Sequence, residues 1–412
     1  MCTVSSDVST KLAPLRISAY RKLLSSNIVT TFGFWFTYVA AFDLYVFDAG
    51  IGPLAVSILG VSSVLPQVIG GPISGVLTDR YDRRNIITIS YLLCAPLVGL
   101  LVFYQSIWLA YGVFLGTGTL YAVSRPSYRS LIPQIVPDEQ LEAANGLLSS
   151  SDSTAQIVGP GIAGVFLSFF EPTLLFILDA ISYCFAALIV YTLSVTAVDK
   201  ENDGGFVTEF RDGLSYLKRA PFVLSVVVLG GLMFAAIGVF EAIIPYFLRE
   251  TLGQNSSMYS LVLLMIGVGS FFGGLTISSI KNRIGYQLVP ALAVVILGTS
   301  VGAFTIVQGT PAIAIASGAV GVAAVWFTSS AYTTLHRDLD ESYHGRIIGV
   351  FKSTTRGSQI IAMALAGIMV SVAGTVVLFR TTMVVLVVGG VGWALFVTQK
   401  SETRATSPSH DD

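Results

Sequence analysis

The sequence predicts an all-α integral membrane protein with about twelve transmembrane helices in two six-helix, pseudo-symmetric bundles. Three observations carry this reading. The 412-residue chain is 53% hydrophobic and only 11% charged, roughly half the charged share of a soluble domain. Its apolar runs recur at about the 20 residues needed to cross a bilayer. Its cations also gather in alternate connections between those runs.

The apolar segments fall at 25–48, 53–78, 86–104, 107–127, 141–169, 173–195, 222–248, 257–280, 285–307, 311–335, 345–372 and 376–398. Between the second and third lies the charged turn Thr78-Asp79-Arg80-Tyr81-Asp82-Arg83-Arg84. So charged a turn must sit at the membrane surface, and its arginines place it in the cytoplasm. With an even number of spans both termini are then cytoplasmic, in a cell-membrane protein. Every Lys and Arg except Arg249, Arg380, Lys352 and Arg356 falls in a tail, a cytoplasmic loop or a cytoplasmic helix end on this count. Arg125 and Arg129 are read as ending the fourth helix at that face.

The polar stretch 198–220 separates 1–197 from 221–412 and is expected to link two bundles. Its Phe210, Leu214 and Leu217 recur at helical spacing beside Arg211, Lys218 and Arg219, as in a helix lying on the membrane surface. The halves also echo each other: Gly75 and Arg84 match Gly274 and Arg283, Phe42-Asp43 matches Phe240-Glu241, and Ala163-Gly164 matches Ala366-Gly367, at nearly equal offsets. Repeated six-helix halves are a transporter architecture, with the substrate site near the midplane.

Composition also excludes functions. A net charge of −1 and the lack of a basic arm argue against nucleic acid. Cys2, Cys94 and Cys184 have no metal-ligand spacing. No nucleophile elbow or phosphate loop is present, so no cofactor and no enzyme activity are expected. No cleavable signal peptide is expected either.

Gly75, Leu77, Asp79, Arg80, Arg83 and Arg84 match the G-x-L-x-D-R-x-G-R-R loop signature of the major facilitator superfamily. The chain resembles that family over essentially its whole length. Asp82 replaces the usual Gly, as in the macrolide-efflux and enterobactin-exporter branch, which Leu131–Pro137 and His344-Gly345-Arg346 also resemble. A second motif resembles the helix-five signature G-x8-G-x3-G-P-x2-G-G of proton-driven exporters: Gly146, Ala155, Gly159-Pro160 and Ala163-Gly164 stand at its spacings, with alanine at two glycine positions. The bland alternative is close packing of small residues. The resemblance implies the major facilitator fold and a proton antiporter exporting small amphipathic molecules or drugs as a functional monomer. The alternatives are a siderophore or metabolite exporter and a lipid flippase. It also implies a cytoplasmic gate in which Asp79 meets Arg346 at a helix N-terminus, with Arg125 nearby.

Charges inside a membrane are costly, about 2.5–3.5 kcal/mol each on the insertion scale, and mark function. Asp43 and Glu241, at matching places in helices one and seven, are expected to face the central cavity and exchange protons. The alternative for each is a structural hydrogen bond. Asp152 is open between packing, satisfied by its serine neighbours, and coupling. Lys352 and Arg356 would line a cavity, bind an anionic group or pair with acids such as Asp152. Asp179 is read as structural. Among the aromatics, Trp35, Tyr38, Phe240 and Trp326 are candidates for the cavity wall.

Overall fold

The computed structural model describes residues 12–193, 220–337 and 343–406, apart from the side chains at 68–69, 71–76, 78–80, 153, 157, 344–346 and 400–406. The expected surface helix within 198–219 lies outside the described residues. Among the described residues twelve α-helices follow one another: α1 (Ser18–Phe42), α2 (Pro53–Arg80), α3 (Arg83–Phe103), α4 (Ile107–Ile135), α5 (Leu141–Leu167), α6 (Pro172–Tyr191), α7 (Pro221–Tyr246), α8 (Ser256–Ile284), α9 (Val289–Ala303), α10 (Thr310–Arg337), α11 (His344–Ala373) and α12 (Thr375–Thr406). No strand occurs among the described residues.

Nine helices among the described residues are long and apolar enough to cross a membrane. Pro53–Gln67 of α2 and the 15-residue α9 are apolar but shorter. Helix α5 carries the polar run at 149–154. A multi-pass membrane protein needs this composition, because only a helix satisfies its own backbone in hydrocarbon.

Packing divides the chain into two units, Met1–Asp203 with Gln254–Ser260, and Gly204–Gly253 with Leu261–Asp412. The first turn of α8 therefore groups with the first six helices. Within the first unit α1 packs on α5 and α6, α3 on α4 and α6, and α2 on α4. Within the second unit α7 packs on α11 and α12, and α9 on α10 and α12. Ser270 of α8 donates to the Gly321 carbonyl of α10 (3.3 Å), completing the same scheme.

Smaller features repeat as well. Helices α1 and α7 both end in a π-turn, at Asp43–Asp48 and Phe247–Thr251. Its wider ring is closed by Ala49 N to Leu44 O (2.9 Å) in one and Leu252 N to Phe247 O (3.2 Å) in the other. Each π-turn is followed by a glycine of positive φ, Gly50 at 68° and Gly253 at 61°. Only glycine adopts that conformation without strain.

One expectation changes. Helix α4 continues past 127 through Pro126 and Pro133 to Ile135. Arg125 therefore lies nearly three turns before the helix end, ~15 Å along its axis, and not at its terminus. The departure at Asp82 also has a local cause. Its Oδ1 accepts from Arg84 N (2.8 Å) and Asn85 N (3.3 Å), capping α3. Loss of such a cap costs about 1 kcal/mol. Asp82→Ala should accordingly lower the melting temperature of the detergent-purified protein, while Asp82→Asn should nearly preserve it.

Candidate functional site

Polar side chains inside the first bundle cluster on α1. Asn27 donates from Nδ2 to Asp152 Oδ1 (2.8 Å) and accepts at Oδ1 from Arg125 Nη1 (2.8 Å). Arg125 Nη2 pairs directly with Asp152 Oδ2. Three helices, α1, α4 and α5, thus share one hydrogen-bonded ring. Arg125 and Asp152 keep 18% and 24% of their side-chain surface open, so the ring borders accessible space. Asp152 is held by Asn27 and Arg125 on two neighbouring helices.

Further along α1, Asp179 of α6 accepts from Thr37 (2.5 Å) and Ser182 (3.2 Å) and is 1% exposed. Gly33 makes room for it: a side chain there would run into the Asp179 carboxyl carbon at 3.2 Å. Asp43 opens the π-turn of α1 and is buried. Its carboxyl lies against Ser256, the first residue of α8. Its Oδ1 accepts no hydrogen bond among the described residues.

The glycine pattern of α5 sets how closely its neighbours approach. At Gly159 an added Cβ would lie 2.8 Å from Trp35 Cδ1, so the indole rests on bare backbone. Gly164 is closed off in the same way by Ser260. Ala155 and Ala163 are fully buried, Pro160 is buried within the helix, and Gly146 has open space around it. Trp35 is half-buried, and Tyr38 is buried in an aromatic run with Phe34, Trp35, Phe42 and Phe114.

In the second bundle Glu241 of α7 accepts at Oε2 from Gln359 Nε2 of α11 (2.7 Å). Gln359 Oε1 in turn accepts from Arg356 Nη1 (2.8 Å). Lys352, one turn before Arg356, is exposed. Phe240 is packed between Phe304 and Phe379 and is 3% exposed, which places it in the core of its bundle rather than on an open wall. Trp326 donates to the Gly273 carbonyl (3.1 Å) and to Thr276 (3.2 Å), tying α10 to α8.

The charged turn is held from both sides. Arg83 donates to the Ser130 carbonyl (3.4 Å) and Arg84 to the Leu193 carbonyl (3.1 Å). In the second bundle Lys281 reaches the Ser329 carbonyl (3.2 Å) and Thr333 (2.8 Å) in the way Arg83 reaches Ser130. Gly75, Asp79 and Arg80 fall in the last turns of α2 and Arg346 in the first turn of α11. Their side chains lie outside the described residues.

Asn27 and Gln359 are the partners that sequence reasoning missed. Their signal was a primary amide in a largely apolar run, with Gln359 three residues from Arg356, on one helix face.

This architecture is that of a major facilitator transporter. A solved nucleoside transporter, NupG, superimposes with a TM-score of 0.75 at 15% identity, covering 92% of this chain and 98% of that one. Residues 9–411 match the family profile described as transmembrane secretion effector, and the chain belongs to that family of major facilitator transporters. The uncharacterized MFS-type transporter YfiS of Bacillus subtilis is 25% identical over 87% of this chain and 88% of its own. Macrolide efflux protein A of Enterococcus faecalis is 22% identical over 72% of this chain and 94% of its own. The family and fold are those of transporters, not enzymes.

Removing one member of a buried charge pair strands the other, at about 3–5 kcal/mol for a fully buried pair and less for one with this exposure. Arg125→Ala should therefore lower thermal stability sharply, and adding Asp152→Asn should recover most of the loss. Gly159→Val should displace Trp35, read as a shift in its fluorescence emission against a Trp35→Phe control.

Proposed function

We propose that this transporter is a proton-driven exporter of small amphipathic organic molecules, seated in the cell membrane with both termini cytoplasmic and working as a monomer. The observation that carries the reading is Glu241, a carboxyl group in a membrane-spanning helix held by Gln359 of a neighbouring helix, whose own carbonyl oxygen accepts from Arg356. A carboxyl group in hydrocarbon is expensive, and one with partners for more than one protonation state is what proton exchange requires. Asp43, with its unpartnered oxygen, is a second candidate on α1. Protons and a cationic or polar substrate group would compete for such a site, and alternating access would couple them.

The glycine–proline pattern of α5 and the likeness to a relative named for macrolide efflux support the outward direction. Asp79 and Arg346 would form the cytoplasmic gate, with Arg80, Arg83 and Arg84 pinning its loop. A second reading, export of an acidic metabolite or siderophore, is favoured by the two cations Lys352 and Arg356 one turn apart on α11.

Inverted proteoliposomes with an imposed pH gradient test the reading, with a labelled macrolide and ethidium as probes. Uptake should follow the gradient and stop when a protonophore collapses it. Glu241→Gln should reduce gradient-driven uptake by about tenfold or more, and Asp43→Asn should reduce it as well. Uptake that persists after collapse of the gradient would overturn antiport.

A further inference from the structure

In each bundle a carboxylate, a primary amide and a guanidinium are joined in the same atomic order. Asn27 donates to Asp152 and accepts from Arg125, both at 2.8 Å. Gln359 donates to Glu241 at 2.7 Å and accepts from Arg356 at 2.8 Å. The helix pairs that carry amide and acid, α1 with α5 and α7 with α11, are also equivalent in the two packing schemes. The acid has changed sides, from α5 in the first bundle to α7 in the second.

The two clusters differ in closure. Arg125 also pairs directly with Asp152, which makes a ring. Among the described residues Arg356 makes no direct ion pair or hydrogen bond with Glu241, so the amide is the link between them. Protonating Asp152 would forfeit an ion pair and strand a guanidinium. Protonating Glu241 forfeits less, because a neutral carboxyl still accepts the Gln359 N–H through its carbonyl oxygen.

We propose that the open cluster is the proton-exchanging site, that Gln359 is its positioning residue, and that the ring of Asn27, Arg125 and Asp152 is a fixed clasp. The proposal deepens the exporter reading and rests on it only for the use made of the proton.

Gln359 is well placed for that role. It is 3% exposed, and its carbonyl oxygen is claimed by Arg356, which turns the NH2 toward Glu241. Its backbone lies against Gly238, where an added Cβ would come within 3.2 Å of the Gln359 Cα. Gly230 and Gly231 extend this close seam to Phe351 and Ser358. Backbone contact therefore fixes the amide, as small residues do between membrane helices.

The charge acting on Glu241 is that of Arg356. Lys352 stands one turn before it on α11, and α9 carries no ionisable residue. On α10, Tyr332 lies against Phe351 and Arg337 over Tyr286, with His336 beside it. Arg380 of α12 bonds Thr305, while Arg249 and Glu250 pair with each other beyond α7.

Infrared difference spectroscopy between low and high pH tests this on the full chain in lipid without substrate. A protonated-carboxyl band should titrate, vanish in Glu241→Gln and persist in Asp152→Asn. Gln359→Met removes the donor to that carbonyl. The band should then move to higher frequency and its midpoint should shift by about one pH unit or more. Gln359→Asn withdraws the same N–H by shortening the side chain and gives the same reading if the methionine variant fails to assemble. No titrating band, a band lost only in Asp152→Asn, or an unmoved band in the Gln359 variant would each overturn the proposal. A titrating Glu241 band without gradient-driven ethidium transport would refute export alone. Such transport with no Glu241 band would refute the proposal alone.

Discussion

The cost of placing charge in hydrocarbon governs this structure. At about 2.5–3.5 kcal/mol for each charged group at a helix centre, an unpartnered charge is an expensive defect, so each must find a neighbour on another helix. Arg125 and Asp152 pair with each other and with Asn27, Glu241 with Gln359, and Asp179 with Thr37 and Ser182. These bonds tie α1 to α4, α5 and α6, and α7 to α11. Glycines then decide how closely: Gly33 lies beneath Asp179, Gly159 beneath Trp35 and Gly238 beneath Gln359. Asp179 and Gln359 thus sit over bare backbone. A longer side chain at the glycine would hold the polar partners beyond hydrogen-bond reach.

The helix count was legible because the bilayer imposes one length on every apolar run. Helix ends were less so, since hydropathy locates hydrocarbon and not the end of a helix. Helix α4 shows the consequence. Its polar last turns and two prolines resemble a loop, yet the helix runs through both to Ile135 and carries Arg125 inward. Membrane helices tolerate proline where neighbours re-satisfy the freed backbone groups. Helix α7 poses the opposite problem. It is apolar on every side, so no periodicity says that Phe240 faces Phe304 and Phe379. The amides escaped notice because Asn27 and Gln359 carry no charge. Their meaning depends on which helices are neighbours, and that is information no single segment holds.

Matching positions in the chain are not matching positions in chemistry. Sequence offset pairs Asp43 with Glu241, but their surroundings differ. Asp43 opens a π-turn against Ser256 with one oxygen unpartnered. Glu241 has the amide and guanidinium neighbours that Asp152 has in the other bundle. The two bundles hold the same constellation with acid and amide on exchanged partner helices. A search for aligned residues misses it for that reason, whereas the atomic order of the hydrogen bonds reveals it. The placement of the guanidinium then sets whether the cluster is closed or open. Where the guanidinium stands on a third helix, as Arg125 does on α4, it can reach the acid directly and close the ring. Where it shares a helix with the amide, as Arg356 does with Gln359, the amide stands between guanidinium and acid and the chain stays open. A closed ring loses an ion pair whenever its acid takes a proton, which suits a fixed clasp. An open chain keeps its hydrogen bonds through the same change, which suits the half that must switch.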